Sequence, residues 1–338
     1  MELVKSGKDN DEILLSVIVP YFNEKTVLPI LHARLVKVLN ELPESCEIVY
    51  IDDGSTDKSH EVIDGFSDEI TCTRSIVLSR NFGKEAAMSA GLKYCRGQTV
   101  ILLDADLQDP PELIPDMIAK WREGYDVVNM QRSERLGETR MKRASAALFY
   151  RLLNSLVKNN IPENVGDFRL LSRRVVEHIN ELPERNRYMK GLFMWPGFEH
   201  ATIQYQRDSR CAGETKWNYF KLLGLAVDGI TSFSIRPLRL ATFFGSIVAL
   251  GALIFGGFIV VKTMVFGETV SGYPTIMVVQ LALGGIQLLS IGLLGEYIGR
   301  IFIESKARPV YVVKSLQDRQ RKQDGAAPAE TPVDAVVK

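Results

Sequence analysis

Thr99-Val100-Ile101-Leu102-Leu103-Asp104-Ala105-Asp106-Leu107-Gln108 joins an apolar, β-branched run to a turn carrying two carboxylates and an amide at alternate positions. An apolar run without polar alternation reads as a strand buried on both faces, the habit of parallel sheets. The polar turn at its end lies where open α/β sheets bind ligands, outside the carboxyl ends of the strands.

Working outward, the same unit recurs. Leu14–Val19 reads as the first strand and Glu24–Leu42 as the helix after it. Glu47–Ile51 is a strand ending in Asp52-Asp53-Gly54-Ser55, and Asp57–Phe66 is helical. Arg74–Leu78 is a strand, Lys84–Cys95 a helix of small residues, Pro111–Glu123 a helix and Asp126–Met130 a strand. Strands alternating with helices predict an α/β domain with a mostly parallel sheet covered on both faces.

Composition narrows the function classes. Lys+Arg and Asp+Glu balance at 41 each, so no net field draws in nucleic acid. Cys46, Cys72, Cys95 and Cys211 are scattered, and the four histidines show no ligand spacing, so neither a zinc site nor a disulfide framework is expected. The chain lacks G-x-G-x-x-G and the P-loop pattern, which argues against dinucleotide enzymes and P-loop ATPases. Residues 1–13 form a polar extension with no basic stretch ahead of an apolar one, unlike a signal peptide.

The second half changes character. Glu138–Lys158 interleaves Met141, Ala144, Leu148, Leu152 and Leu156 with Arg140, Lys142, Arg143, Arg151 and Lys158. It reads as a basic amphipathic helix suited to a membrane surface. Trp217–Ser234 is a second amphipathic stretch. Leu240–Val261 and Thr269–Gly295 contain no charged residue. Each can span a hydrocarbon core of ~30 Å at about 1.5 Å per residue. Arg236, Arg239, Arg300, Lys306 and Arg308 flank the pair, whereas the loop between holds Glu268, with Lys262 at the end of the first span. The positive-inside rule then places both termini in the cytoplasm and the loop outside. The tail after Lys314 is polar and ends in an Ala/Pro/Glu-rich segment expected to be disordered.

The turn after Leu103 carries chemistry. The oxygens of Asp104, Asp106 and Gln108 can converge on one hard divalent cation, Mg²⁺ or Mn²⁺, that keeps positions open for phosphate oxygens. Asp52-Asp53-Gly54-Ser55 offers carboxylates to a base or a ribose, with Pro20, Tyr21, Asn23 and Glu24 beside it. The plain alternative is an Asx-type turn that caps a helix.

These residues also carry a resemblance. Ser16-Val-Ile-Val-Pro-Tyr-Phe-Asn-Glu24, Ile51-Asp-Asp-Gly-Ser-Thr-Asp57, Ser79-Arg-Asn-Phe-Gly83 and Asp104-Ala-Asp-Leu-Gln-Asp-Pro-Pro111 resemble glycosyltransferase family 2 with a GT-A fold. Val165-Gly-Asp-Phe-Arg-Leu-Leu171, Ala212-Gly-Glu-Thr-Lys-Trp217 and Asp228-Gly-Ile-Thr-Ser-Phe-Ser234 narrow the likeness to polyprenyl-phosphate glycosyltransferases. Bactoprenol glucosyltransferases are the nearer group and dolichol-phosphate mannose synthases the more distant. The likeness covers roughly residues 14–312.

The resemblance implies a GT-A, Rossmann-like domain over 14–212, an acceptor loop and juxtamembrane helix over 213–237, transmembrane helices at 238–266 and 273–299, and a tail over 300–338. It implies inverting, metal-dependent transfer of a hexose, glucose from UDP-glucose first, to undecaprenyl phosphate at the cytoplasmic face of the plasma membrane. The product would serve lipopolysaccharide O-antigen modification. Mannose or a modified arabinose is the alternative sugar. A processive polysaccharide synthase would need a Q-x-x-R-W motif, yet Gln204-Tyr-Gln-Arg207 is followed by Asp208. A non-catalytic scaffold is disfavoured by the intact acidic motifs.

Site roles follow from the same likeness. Asp53 contacts the base, Asp104 the ribose or the metal, and Asp106 with Gln108 the metal. Pro20, Tyr21, Asn23, Glu24, Asp52 and Lys84 complete the nucleotide-sugar site. Asp167 faces sugar and acceptor phosphate, and Arg210 and Lys216 close over the phosphates. Arg132 and Arg143 grip the lipid phosphate, or else remain solvated or headgroup-facing charges. A salt bridge to Arg169 is the bland alternative for Asp167. Expected partners are the nucleotide-sugar, the polyprenyl phosphate and the membrane, with a homo-oligomer, a flippase and a downstream glycosyltransferase as candidates.

Overall fold

The computed structural model describes residues 13–66, 72–133, 165–185, 187–206, 236–266 and 272–319. The chain divides into two units: Met1–Arg151, Asn159–Trp217 and Pro309–Lys338 form one, and Leu152–Lys158 with Asn218–Arg308 the other.

The first unit is built on an eight-stranded sheet of order β7-β5-β6-β4-β1-β2-β3-β8. Its centre is β1 (Leu15–Tyr21), flanked in parallel by β2 (Cys46–Asp52) and β4 (Thr99–Leu102). All seven residues of β1 and of β2 are buried, as continuous apolar strands require. β3 (Cys72–Leu78) extends the parallel set on one side. On the other, β6 (Val165–Ser172) runs antiparallel between β4 and β5 (Val127–Arg132), and β7 (His200–Tyr205) pairs parallel with β5.

Helices cover both faces. α1 (Leu28–Asn40) buries Leu28, Leu31, His32, Leu35, Val38 and Leu39, a helical stripe facing the core. α2 (Ser59–Asp64) is a short connection after β2. α3 (Lys84–Tyr94) buries Ala86, Ala87, Ser89, Ala90 and Gly91, and its small side chains let it lie close on the sheet. A Cβ on Gly91 would stand 2.5 Å from Ile18 Cγ2, so that position must remain glycine for the helix to keep its place. This packing fixes Lys84, the first residue of α3. α4 (Ile114–Arg122), α5 (Arg173–Glu181) and the single turn α6 (Met189–Leu192) complete the unit.

The strand β8 (Val313–Arg319) pairs antiparallel with β3 at the sheet edge. The sequence reading gave this polar stretch no element. An edge strand is held by backbone pairing to one neighbour, so it needs no apolar run. Asp318 supplies the side-chain anchor. It accepts from Arg96 and lies 3.6 Å from Arg74 Nε. Arg74 in turn neighbours buried Glu47, whose Oε1 accepts from Ser16 Oγ (2.5 Å) and Arg96 N–H (2.7 Å).

The second unit holds α7 (Arg236–Phe266) and α8 (Tyr273–Ser305), of 31 and 33 residues. Among the described residues one stretch, Leu283–Ser305, is long and apolar enough to cross a membrane, and none of it is buried. Phe243, Ile254, Phe258, Leu288 and Ile291 are all exposed. The amphipathic stretches expected at Glu138–Lys158 and Trp217–Ser234 lie outside the described residues, as does the end of the tail.

Candidate active site

The site forms at the carboxyl ends of β1, β2 and β4. The turn after β4 is shaped by Leu107, which holds φ at +58°. A left-handed leucine costs roughly 1–3 kcal/mol. Burial of the Leu107 side chain in the core offsets this with about 1.5–3 kcal/mol. The reversal leaves Asp106 and Gln108 half-buried on either side, with Gln108 N–H donating to Asp106 Oδ1 at 3.2 Å.

The ends of β1 and β2 are stitched together by side chains. Asn23 Oδ1 accepts from Thr56 N–H (2.8 Å) and Asp57 N–H (3.3 Å), and Asn23 N–H donates to Ser55 Oγ (2.9 Å). Glu24 N–H donates to Ser59 Oγ at 3.1 Å. Asp52 Oδ1 accepts from Ser55 N–H at 2.7 Å. Pro20 and Tyr21 are buried in β1 opposite Ile51 and Asp52.

Asp53 is buried and directed at the neighbouring loop. Its carboxylate accepts from Phe82 N–H (2.8 Å) and Gly83 N–H (2.9 Å). Burial raises its pKa, and these two donors oppose the rise. Gly54 sits at φ +72°, where a Cβ would stand 2.4 Å from the Arg80 carbonyl carbon. The Asp52–Ser55 turn and the Ser79–Gly83 loop are therefore one construction, and it leads directly into Lys84.

Lys84 is the centre of the site. Its Nζ lies 2.5 Å from Asp104 Oδ1 and 2.5 Å from Asp167 Oδ2. Asp167 reaches it because β6 is antiparallel: Leu102 pairs with Arg169, and the same register carried onward sets Asp104 level with Asp167. Burial alone would raise the Asp167 pKa, but Lys84, Lys190 and Arg169 hold it well below the usual carboxylate range. For Lys84, burial works against the charge, and Asp104 and Asp167 overcome it and raise the pKa. Among the described residues Asp167 Oδ1 is buried with no hydrogen-bond partner, an acceptor left open at the site. Arg169 bonds to Gly166 O at 2.7 Å and lies 4.3 Å from the Phe193 ring centroid, and Asp167 pairs with Lys84.

The opposite face of the sheet carries Arg132. Burial tends to lower its pKa, while a hydrogen bond with Tyr205 and the charges of Asp109 and Asp104 raise it. Tyr205 donates its hydroxyl to Asp109 Oδ1 at 2.5 Å. Gly166 passes under the guanidinium, where a Cβ would meet Arg132 Nη2 at 2.8 Å. Arg132 is thus a held, half-buried cation. Arg143, Arg210 and Lys216 lie outside the described residues.

Sequence reasoning missed Glu85, Lys190, Asp109 and Tyr205. Asp109 closes the Asp104–Gln108 turn and Glu85 follows Lys84, so both stood beside visible motifs. Lys190 and Tyr205 reach the site only through tertiary packing. The oxygens of Asp104, Asp106 and Gln108 could hold a hard cation. Among the described residues no three acidic, His or Cys groups form a complete cage, so such a cation would need oxygens from a bound molecule.

Comparison with known proteins sets this site in a family. Residues 16–179 match the family described as glycosyl transferase family 2. The chain is 48% identical over 305 residues to an uncharacterized glycosyltransferase of Synechocystis sp., covering 90% of this chain and 96% of that protein. It is 47% identical over 306 residues to the bactoprenol glucosyl transferase of Shigella phage SfV, covering 90% and 99%. It is 46% identical over 304 residues to a prophage bactoprenol glucosyl transferase homolog of Escherichia coli K12, covering 90% and 99%. Identity near one half along nine-tenths of the chain leaves no doubt about kinship: this chain belongs to glycosyltransferase family 2.

Proposed function

We propose that this enzyme transfers glucose from UDP-glucose to a polyprenyl phosphate at the cytoplasmic face of a membrane. The observation that carries the reading is the meeting of Asp104 and Asp167 on Lys84, which joins a donor-side carboxylate to a second carboxylate with an open oxygen. The bactoprenol glucosyl transferases among the relatives supply the substrate class. The exposed apolar side chains of α8, where Leu283–Ser305 is long and apolar enough to cross a membrane, support a membrane anchor. Arg236, Arg239, Arg300, Lys306 and Arg308 support cytoplasmic ends.

In this reading Asp104, Asp106 and Gln108 would hold Mg²⁺ or Mn²⁺, which would supply positive charge to the diphosphate leaving group. Asp53 and Asn23 shape the base and ribose site by fixing the loops around it. Lys84 keeps Asp167 ionised and pairs with Asp104 beside it. A lipid phosphate, with a second pKa near about 6, is mostly dianionic at neutral pH and needs no strong base. Asp167 orients that acceptor or stabilises positive charge developing at the anomeric carbon. A single in-line displacement inverts the anomeric centre. Arg132 offers a held cation to phosphate, and Arg143, Arg210 and Lys216 are the remaining cations proposed for that task.

The test incubates the purified protein with undecaprenyl phosphate and a panel of nucleotide-sugars, followed by mass spectrometry of the lipid. A hexosyl lipid from UDP-glucose is expected, and none after EDTA. Transfer from another nucleotide-sugar alone overturns the donor, and absence of any lipid product overturns the acceptor class.

A further inference from the structure

Three contacts fix the single turn α6 and the residue after it. Met189 N–H donates to Glu85 Oε2 at 3.0 Å. Ser89 Oγ lies 3.8 Å from Met189 Sδ. Phe193 is fully buried under the Arg169 guanidinium. Glu85 and Ser89 are one helical turn apart on α3, the helix that begins with Lys84. Arg169 lies two residues from Asp167 on β6, on the same face of the strand. The segment is therefore held by the same two elements that present the Lys84–Asp167 pair.

Lys190 stands between the fixed points Met189 and Phe193 and is half-buried. Its charge acts on both Asp167 and Glu85. Among the described residues it makes no ion pair. Asp167 is matched by Lys84, and Glu85 accepts from Met189 N–H. Burial and Asp167 push the Glu85 carboxyl up to about 7, so it carries only part of a negative charge at neutral pH. A half-buried ammonium with no ion pair among the described residues, on a turn held by the elements that present Lys84 and Asp167, suits an oxyanion.

We infer that Lys190 binds a phosphate oxygen of the acceptor beside Asp167, and that Glu85 is the positioning residue that sets Lys190 there. This rests on the lipid-phosphate acceptor proposed above. Phosphate could equally come from the donor, but the turn that carries Lys190 is pinned to Glu85 and Arg169, and its charge acts on Asp167, the carboxylate proposed for the acceptor.

The test uses the full chain in detergent, with Lys190→Gln, Lys190→Arg, Glu85→Ala and Glu85→Gln. Apparent KM is measured for undecaprenyl phosphate and, separately, for UDP-glucose, with UDP binding as the folding control. Lys190→Gln should raise the acceptor KM about tenfold or more and leave the donor KM nearly unchanged. Lys190→Arg should recover most of the loss. Glu85→Gln should stay near wild type because its amide oxygen still accepts from Met189 N–H, whereas Glu85→Ala should raise the acceptor KM. Adding Lys190→Gln to Glu85→Ala should then cost little more. An unchanged acceptor KM in Lys190→Gln overturns the inference. A rise in the donor KM instead assigns the phosphate to the donor and overturns it as stated. Equal, independent losses from the two sites overturn the positioning role. A wild-type protein that glycosylates no lipid phosphate removes the proposed function itself, and this inference with it.

Discussion

Asp104 follows β4 and Asp167 sits on the antiparallel β6, yet each places an oxygen 2.5 Å from the same Lys84 ammonium. One cation thus serves two carboxylates no more than twice that distance apart. Without it, Asp167 loses the nearest charge that holds it below the usual carboxylate range.

Lys84→Met should therefore do more than remove one contact. Transfer should fall about a hundredfold or more. The wild-type Asp167 stays ionised down to strongly acid pH, because its pKa is depressed. In the variant its pKa rises, so residual activity should be lost at a higher pH as the medium is acidified. The acid limb of the pH–rate profile measures this. An unshifted limb would show that Asp167 does not depend on Lys84.

Asp167→Asn is nearly isosteric and removes one charge from the pair. Nucleotide binding through Asp53 and the Asp104 turn should survive. Turnover should fall about a hundredfold or more, the effect of losing a charge worth ~3 kcal/mol in the transition state. Calorimetric titration with UDP and Mg²⁺, run beside the lipid-product assay, separates the two quantities. Binding and turnover falling together would make Asp167 a donor-site or structural residue.

Asp106→Asn should keep the fold, since Asp106 is half-buried and the asparagine amide oxygen can still accept from Gln108 N–H within the same turn. Activity should drop by orders of magnitude at fixed Mg²⁺ and recover in part at higher Mg²⁺ or Mn²⁺. Full wild-type activity in EDTA would rule out the cation assigned to this turn.

Glu85 gives stability a pH dependence of known sign. Its folded pKa is raised, from 4.5 to about 7, so the folded state binds a proton that the unfolded chain has released. Its contribution is unaffected below about pH 4.5 and turns increasingly unfavourable as pH rises through that window. The slope is at most about 1.4 kcal/mol per pH unit. Glu85→Gln should flatten the fall of Tm between pH 4.5 and 7, as scanning calorimetry would show. An identical slope in wild type and variant would contradict the raised pKa.

Asp318→Ala should loosen the sheet edge. Arg74 and Arg96 lose their shared acceptor, and Arg74 is nearly fully buried. A loss of about 1–3 kcal/mol is expected in denaturant unfolding. Truncation after Arg308 should go further and leave the β3 edge unpaired and prone to association, visible by light scattering. A truncated chain as stable and monodisperse as the full one would refute the role of β8.

The central sheet was legible because β1, β2 and β4 are largely apolar runs closed by polar turns, and burial on both faces writes itself into composition. β6 was harder to see. Val165-Gly-Asp-Phe-Arg-Leu-Leu171 stood out as a motif, but nothing in it declares an antiparallel strand between two parallel ones. That placement, absent from the local pattern, brings Asp167 to Asp104. Asp104 itself was visible from its position after a strand. Its ion pair with Lys84 depends on the close approach of α3, which Gly91 permits and no spacing rule announces. β8 escaped because a half-exposed edge strand has no hydrophobic signature.

The pairing of β8 with β3 has a consequence for synthesis. The chain leaves the sheet after β7, runs through both long helices, and returns to it only at Val313. The helices are thus an excursion from a sheet that is finished last. While the chain emerges from the ribosome, β3 waits with an open edge until everything up to Arg319 has been made. A chain that stalls after the helices would carry its apolar segments and an unsealed catalytic sheet together, which gives proteolytic surveillance a clear mark of an incomplete product.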